Sequence, residues 1–167
     1  MRNIWTIASR EYRNYFSGVT AYLFAFVLFL VVGGVFFASL YSLMQYMGQY
    51  PPPGAEVVTG PIMFVLVFAC PAFTMRLLSE EQRQGTIELL LTAPVRDAEL
   101  VIGKWLGAFL MLATLVGVTL IYPLVLNTIV DPGIDRGPLL SGYLGVLLVS
   151  AAFLAIGVAI SSLFNNQ

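Results

Sequence analysis

The sequence predicts an all-α, polytopic membrane protein, and three observations carry that prediction. Hydrophobic residues make up 59% of the 167 positions, charged residues only 10%, and the mean hydropathy is +0.87. Soluble domains hold about 45–50% apolar and about 25% charged residues, so lipid is the relevant solvent. The apolar residues gather into four runs, each close to the ~20 residues that a helix needs to cross hydrocarbon. Basic residues fall into alternate gaps between those runs, as a chain that crosses a membrane repeatedly requires.

Taken in order, residues 3–16 ("NIWTIASREYRNYF") have helical periodicity. At 100° per residue Ile4, Trp5, Ala8, Tyr12, Tyr15 and Phe16 gather on one side, and Thr6, Arg10 and Arg13 on the other. An aromatic face backed by arginines predicts a helix lying in the membrane interface, against the plainer alternative of an irregular lead-in. The first run, 20–44, holds no charge. It is longer than the core of a signal peptide and no small-residue cleavage site follows it, so it reads as a span. The second, 60–78, opens at Gly60-Pro61, where proline suits a first helical turn, and closes at Arg76, which can snorkel to the interface. The third spans 100–126 and the fourth 139–164. Pro71 and Pro123 are expected to bend their helices.

Orientation follows from the cations. Arg2, Arg10 and Arg13 precede the first run, and Arg76, Arg83, Arg96 and Lys104 lie between the second and third. The other two gaps hold only Arg136. The positive-inside rule then places both termini and the 79–97 segment in the cytoplasm. The proline- and glycine-rich "GQYPPPGAE" and "DPGIDRGP" read as connections on the opposite side.

The segment 79–97 is dense in charge for so apolar a chain. Ser79-Glu80-Glu81-Gln82 matches a capping box, Gly85 weakens that turn, and Thr86 can cap a short helix, "IELLLTA", that Pro94 stops. Asp97 can cap the helix that enters the third run. Glu88 and Thr92 share one narrow polar face, whereas Leu90 and Leu91 lie opposite and need a cover. A solvated loop would not need that leucine run. The expectation is a short cytoplasmic helix coupled directly to two spans.

Several chemistries are excluded. There is no histidine, so no Ser/His/Asp or Cys/His constellation, and no acidic cluster lies within an apolar run, so no metal site is expected. The single cysteine, Cys70, sits in an apolar run and reads as a small hydrophobe. Gly103-Lys104 is followed by Trp105 and lacks the earlier glycine of a phosphate loop. The chain is therefore not expected to be an enzyme, and no nucleic-acid partner is expected. Charges are absent from the central parts of the runs, which disfavours an ion pump or proton relay. Gly103 and Gly107 form a G-x-x-x-G pair, and Ala151, Ala155 and Ala159 a small-residue ridge. Both predict close helix packing within the chain, with a dimer interface as the other use.

The stretch 71–109, "PAFTMRLLSEEQRQGTIELLLTAPVRDAELVIGKWLGAF", resembles the segment after the second span in permeases of the ATP-binding-cassette type-2 family. It is most similar to the gliding-motility-like and multidrug or copper-processing-like branches. The lead-in at 10–22, "REYRNYFSGVTAY", is similar to that family's N-terminal helix, with Ser17-Gly18 where relatives often carry Ser-Pro. The resemblance implies a permease subunit of the plasma (inner) membrane that pairs with a separate ATPase subunit and a second permease copy. It implies ATP and Mg on that ATPase, and no cofactor in this chain. It also implies that Glu80, Glu81, Arg83, Gly85, Thr86, Glu88, Leu89, Leu90 and Pro94 form a coupling helix seated on the ATPase, with Arg76 anchoring the second span. Family members usually have six spans. The chain stops after the fourth run, so the last two are absent, as expected of either a piece of a longer product or a shortened relative. The reading from another class is a four-span scaffold or assembly factor without an ATPase.

Overall fold

A computed structural model describes residues 2–45, 54–84, 97–130 and 133–163. The described residues are almost wholly helical and contain no strand. The helices are α1 (Arg2–Ser17), α2 (Val19–Gln45), α3 (Glu56–Gln84), α4 (Asp97–Val118), α5 (Ile121–Ile129) and α6 (Arg136–Leu163).

Among the described residues three stretches are long and apolar enough to cross a membrane: Val19–Gln45, Ala98–Ile129 (α4 with α5) and Arg136–Ile160. The shorter apolar stretch Glu56–Pro71 belongs to α3. Each of these apolar stretches buries one stripe and leaves much of its remaining girth apolar and exposed. On α2 the buried stripe is Phe24, Leu28, Val32 and Phe36, one residue per turn, while Phe26 and Phe37 on the far side are 64% and 72% exposed. In water so much exposed aromatic surface would be untenable, whereas in lipid it costs nothing. Matching stripes from α3 (Ile62, Leu66, Phe73), α4 (Met111, Leu112) and α6 (Val146, Leu154) complete one core.

Two helix pairs set the directions. Thr59 and Thr74 of α3 lie against Gly142 and Gly157 of α6, so these helices run parallel in a constant register. On α1, Asn3 meets Glu99, Ile7 meets Gly103 and Glu11 meets Gly107, so α1 runs parallel to the start of α4, also in constant register. On the other side of the core, α2 meets α3 through Phe24 and Phe73, edge-on at 5.0 Å. It meets α5 through Tyr122, whose hydroxyl donates to the Phe29 carbonyl at 3.4 Å beside Gly33.

The helix limits differ from the sequence reading in four places. The second helix begins at Glu56 rather than at Gly60, with Pro61 inside it. It continues through Pro71 and Ser79 to Gln84. The expected cap at Ser79 is therefore a helix-interior position, because the capping pattern occurs where the preceding turn is already helical and helix extension needs no new nucleus. The third run breaks at Thr119-Leu120. There the Thr119 and Leu120 amides bond three residues back, to Val116 and Gly117. Pro123 lacks the N–H that would have bonded the Thr119 carbonyl, and the Tyr122 amide bonds it instead at 3.1 Å. The Thr119 hydroxyl fills the break, lying 2.6 Å from the Val116 carbonyl and 3.0 Å from the Tyr143 hydroxyl on α6. The last helix starts at Arg136, three residues earlier than expected, after Asp135 accepts the Gly137 amide at 3.0 Å. Gly133 turns the chain into it with φ 101°, a conformation that favours glycine.

Candidate functional site: the helix ends flanking the charged segment

The charged segment is bounded by the last turns of α3 and the first turns of α4. Arg76 lies within α3, and Glu80, Glu81 and Arg83 lie on its final turns. Gly85, Thr86, Glu88, Leu89, Leu90 and Pro94 lie outside the described residues.

On the α3 side, the helix is packed into the bundle one turn before Arg76. Phe73 is buried, with Phe24 and Tyr15 both edge-on to its ring, at 5.0 and 6.1 Å. Thr74 is buried against Gly157, and its hydroxyl donates to the Pro71 carbonyl at 3.0 Å. That bond satisfies a buried polar group within its own helix, as the low-dielectric surroundings demand. A Cβ at position 157 would collide with Thr74 Oγ1, Cγ2 and Cβ.

On the α4 side, packing against α1 begins two residues after Asp97. The Asn3 side-chain amide donates to Glu99 at 3.2 Å. Gly103 and Gly107 then form a trough for α1. A Cβ on Gly103 would lie 2.7 Å from Ile7 Cγ2, and one on Gly107 would lie 2.5 Å from Glu11 Cβ and 3.0 Å from the Ala8 carbonyl. Ala8 fits the trough because it is small, and it is fully buried. Between the two glycines the ammonium of Lys104, itself buried, lies 3.9 Å from the Glu11 carboxylate. Higher up, the Tyr12 and Thr114 hydroxyls share a hydrogen bond at 3.2 Å. The other side of α4 is tied to α6, where the Trp105 indole donates to the Ala151 carbonyl at 3.1 Å and its ring stacks on Phe109.

The small-residue ridge on α6 lies differently from the expectation of packing within the chain. Ala151 is half-buried, but Ala155 and Ala159 face outward. The packing face is carried instead by Tyr143, Val146, Ser150 and Leu154, with Gly157 beyond them. These recur every three or four residues, and Ala155 sits about 100° round the helix from Leu154.

Sequence reasoning missed the Glu11–Lys104 pair, although a signal for it was present. Glu11 projects onto the same side of the helical wheel as Ile4, Ile7 and Ala8, and an acid on an apolar face calls for a partner. Nothing comparable marks Thr74, whose role follows only from the register of α3 on α6.

A family model described as ABC-2 family transporter protein matches residues 5–167. The chain belongs to the ABC-2 transporter family. The match takes in both flanking helices and the charged segment between them. No curated protein matches the chain. Members of the ABC-2 family form the membrane component of a transport system and generally pair with an ABC ATPase. A transport permease role for this multi-pass membrane protein follows.

Proposed function

We propose that the chain is the membrane-spanning permease subunit of an ATP-driven exporter, and that the 79–97 segment is where a separate ATPase transmits its work. In this reading the chain crosses the plasma (inner) membrane four times, with its termini and the charged segment in the cytoplasm. It pairs with a second permease copy, and ATP and Mg are bound by the ATPase. ATP binding draws the ATPase subunits together. That motion enters the segment that carries Glu80, Glu81, Arg83, Gly85, Thr86, Glu88, Leu89, Leu90 and Pro94. From there it shifts α3 and α4 between inward-facing and outward-facing arrangements.

The observation that carries the reading is the family match across 5–167, which includes the whole segment. The packing of the flanks supports it. A push on the segment reaches α6 through Thr74, and α1 through Gly103, Gly107 and Lys104. The leucines suit a groove in a protein partner, and the charges suit pairing around its rim.

The test is co-purification of the full chain with its ATPase after Leu90→Asp or Gly85→Pro. Each should cut pairing and ATPase stimulation by at least ten-fold, because a buried carboxylate or a stiffened turn spoils a fitted interface. Wild-type pairing and stimulation in both variants would sink the proposal.

A further inference from the structure

The outward face of α1 has no cover within the described chain. Its inward face is taken up by α4, through Ile7, Ala8 and Glu11. Facing away are Trp5, Thr6, Arg10, Arg13, Asn14 and Ser17, all exposed. Glu11 is the sole acid of α1, and it is turned inward to Lys104. Neither Arg10 nor Arg13 forms an ion pair with a described residue. Among the described residues, the exposed face is therefore cationic with no acid paired to it.

Depth decides what such a face can meet. The apolar stretch Ala98–Ile129 has 32 residues, about a dozen more than hydrocarbon requires. Its last charge is Lys104, and the stretch from Trp105 onward is free of charge as far as Val130. The first turns of α4 are thus the surplus that stands at headgroup depth. The register that sets Asn3 against Glu99, with |i−j| = 96, places Arg10 level with Leu106 and Arg13 level with Phe109. Both guanidinium groups then fall where charge gives way to hydrocarbon, the depth of lipid phosphates. Trp5 is 64% exposed and Trp105 lies at the same boundary, and indoles concentrate there.

We infer that Arg10 and Arg13 form a binding site for the phosphate headgroups of anionic phospholipids in the adjoining leaflet. Guanidinium donors bind phosphate oxygens in pairs, and the two arginines, three residues apart on one face, present adjacent forks. A lipid is the occupant, rather than an acidic protein segment, because the arginines sit at the hydrocarbon boundary on a helix that also exposes an indole, Trp5, toward its N-terminal end.

The experiment is native mass spectrometry of the purified full chain, released from detergent after incubation with phosphatidylglycerol or phosphatidylcholine. The wild type should retain phosphatidylglycerol preferentially. Arg10→Gln or Arg13→Gln should lower that preference about five-fold each, and the double variant about thirty-fold, from the worth of a cation at an anionic surface. Arg10→Lys with Arg13→Lys should keep most of the preference, and Arg136→Gln, at the start of α6, should leave it unchanged. Helix content and thermal midpoint check folding, and the single variants serve if the double variant misfolds. Equal retention of the two lipids by the wild type would overturn the inference, as would an unchanged preference in the glutamine variants. Loss of the preference in millimolar inorganic phosphate would assign the face to a free anion and overturn it too.

Discussion

Two seams hold the helices that flank the charged segment, and they are built on opposite plans. Along α3 and α6 the close contacts are far apart: Thr59 on Gly142 and Thr74 on Gly157 stand fifteen residues from each other on either helix, roughly 22 Å. Between them the buried residues of α3 are apolar, and on α6 the buried Ser150 hydroxyl bonds within its own helix, to the Val146 carbonyl. Along α1 and α4 the close contacts are one turn apart, at Gly103 and Gly107, and Asn3, Glu99, Lys104, Glu11, Tyr12 and Thr114 add polar contacts around them. The first seam resists rotation and sliding along its whole length. The second grips at one end and leans on electrostatics. The difference teaches that one flank of the segment is anchored to the body of the bundle, whereas the other carries a short helix with it as a unit.

The largest effect should come from the long seam. Gly157→Ala places a methyl on Thr74 Cβ, which no side-chain rotation moves away. Overpacking costs about 1–3 kcal/mol and the alanine's helix propensity returns about 1. Because three atoms of Thr74 are in the way, a net loss of about 2 kcal/mol is expected in the unfolding free energy measured in mixed micelles. Gly145→Ala, with nothing within 4 Å of its Cβ, is the control and should be neutral or slightly stabilising. A smaller effect is expected at Gly107→Ala, about 1 kcal/mol net, because α1 is peripheral and can move outward. Its signature is local. Amide exchange should quicken in α1 and stay as it was in α3 and α6, and a uniform change would erase the contrast between the seams. The smallest effect belongs to Lys104→Met, under about 1 kcal/mol. The ion pair is long at 3.9 Å, and methionine keeps the apolar stem in place. Adding Glu11→Gln to it should recover most of the loss, since a neutral amide does not need the ammonium that Lys104 supplied.

Much of this was legible in the sequence. Apolar runs announced the helices because lipid obliges each crossing segment to satisfy its own backbone. The G-x-x-x-G of Gly103 and Gly107 marked a close approach, although not its partner, which is 96 residues away. What escaped depends on tertiary register or on competing local signals. The break at Thr119-Leu120 sits inside an unbroken apolar run, and only Pro123 hints at it. The Ser79 pattern looks like a helix start in isolation, yet α3 has no reason to stop before it. For the ridge of Ala151, Ala155 and Ala159, spacing alone does not say which side of α6 meets the bundle. Of the candidate coupling residues, Gly85, Thr86, Glu88, Leu89, Leu90 and Pro94 lie outside the described residues, and their reading rests on charge, turn chemistry and family.

The parallel pairing of α3 with α6 has a consequence for synthesis. Parallel neighbours in a membrane cannot be joined by a hairpin, so the chain must first make an odd number of intervening crossings. Here α4 with α5, a stretch long and apolar enough to cross, lies between them, and Thr74 waits 83 residues for Gly157 to arrive. Until then the threonine ridge of α3 faces lipid or the insertion machinery, whereas the glycine trough of α4 emerges after α1, the helix that fills it. The seam of α3 and α6 is thus among the last to close, and a defect at Gly157 would surface as failed assembly of helices already inserted.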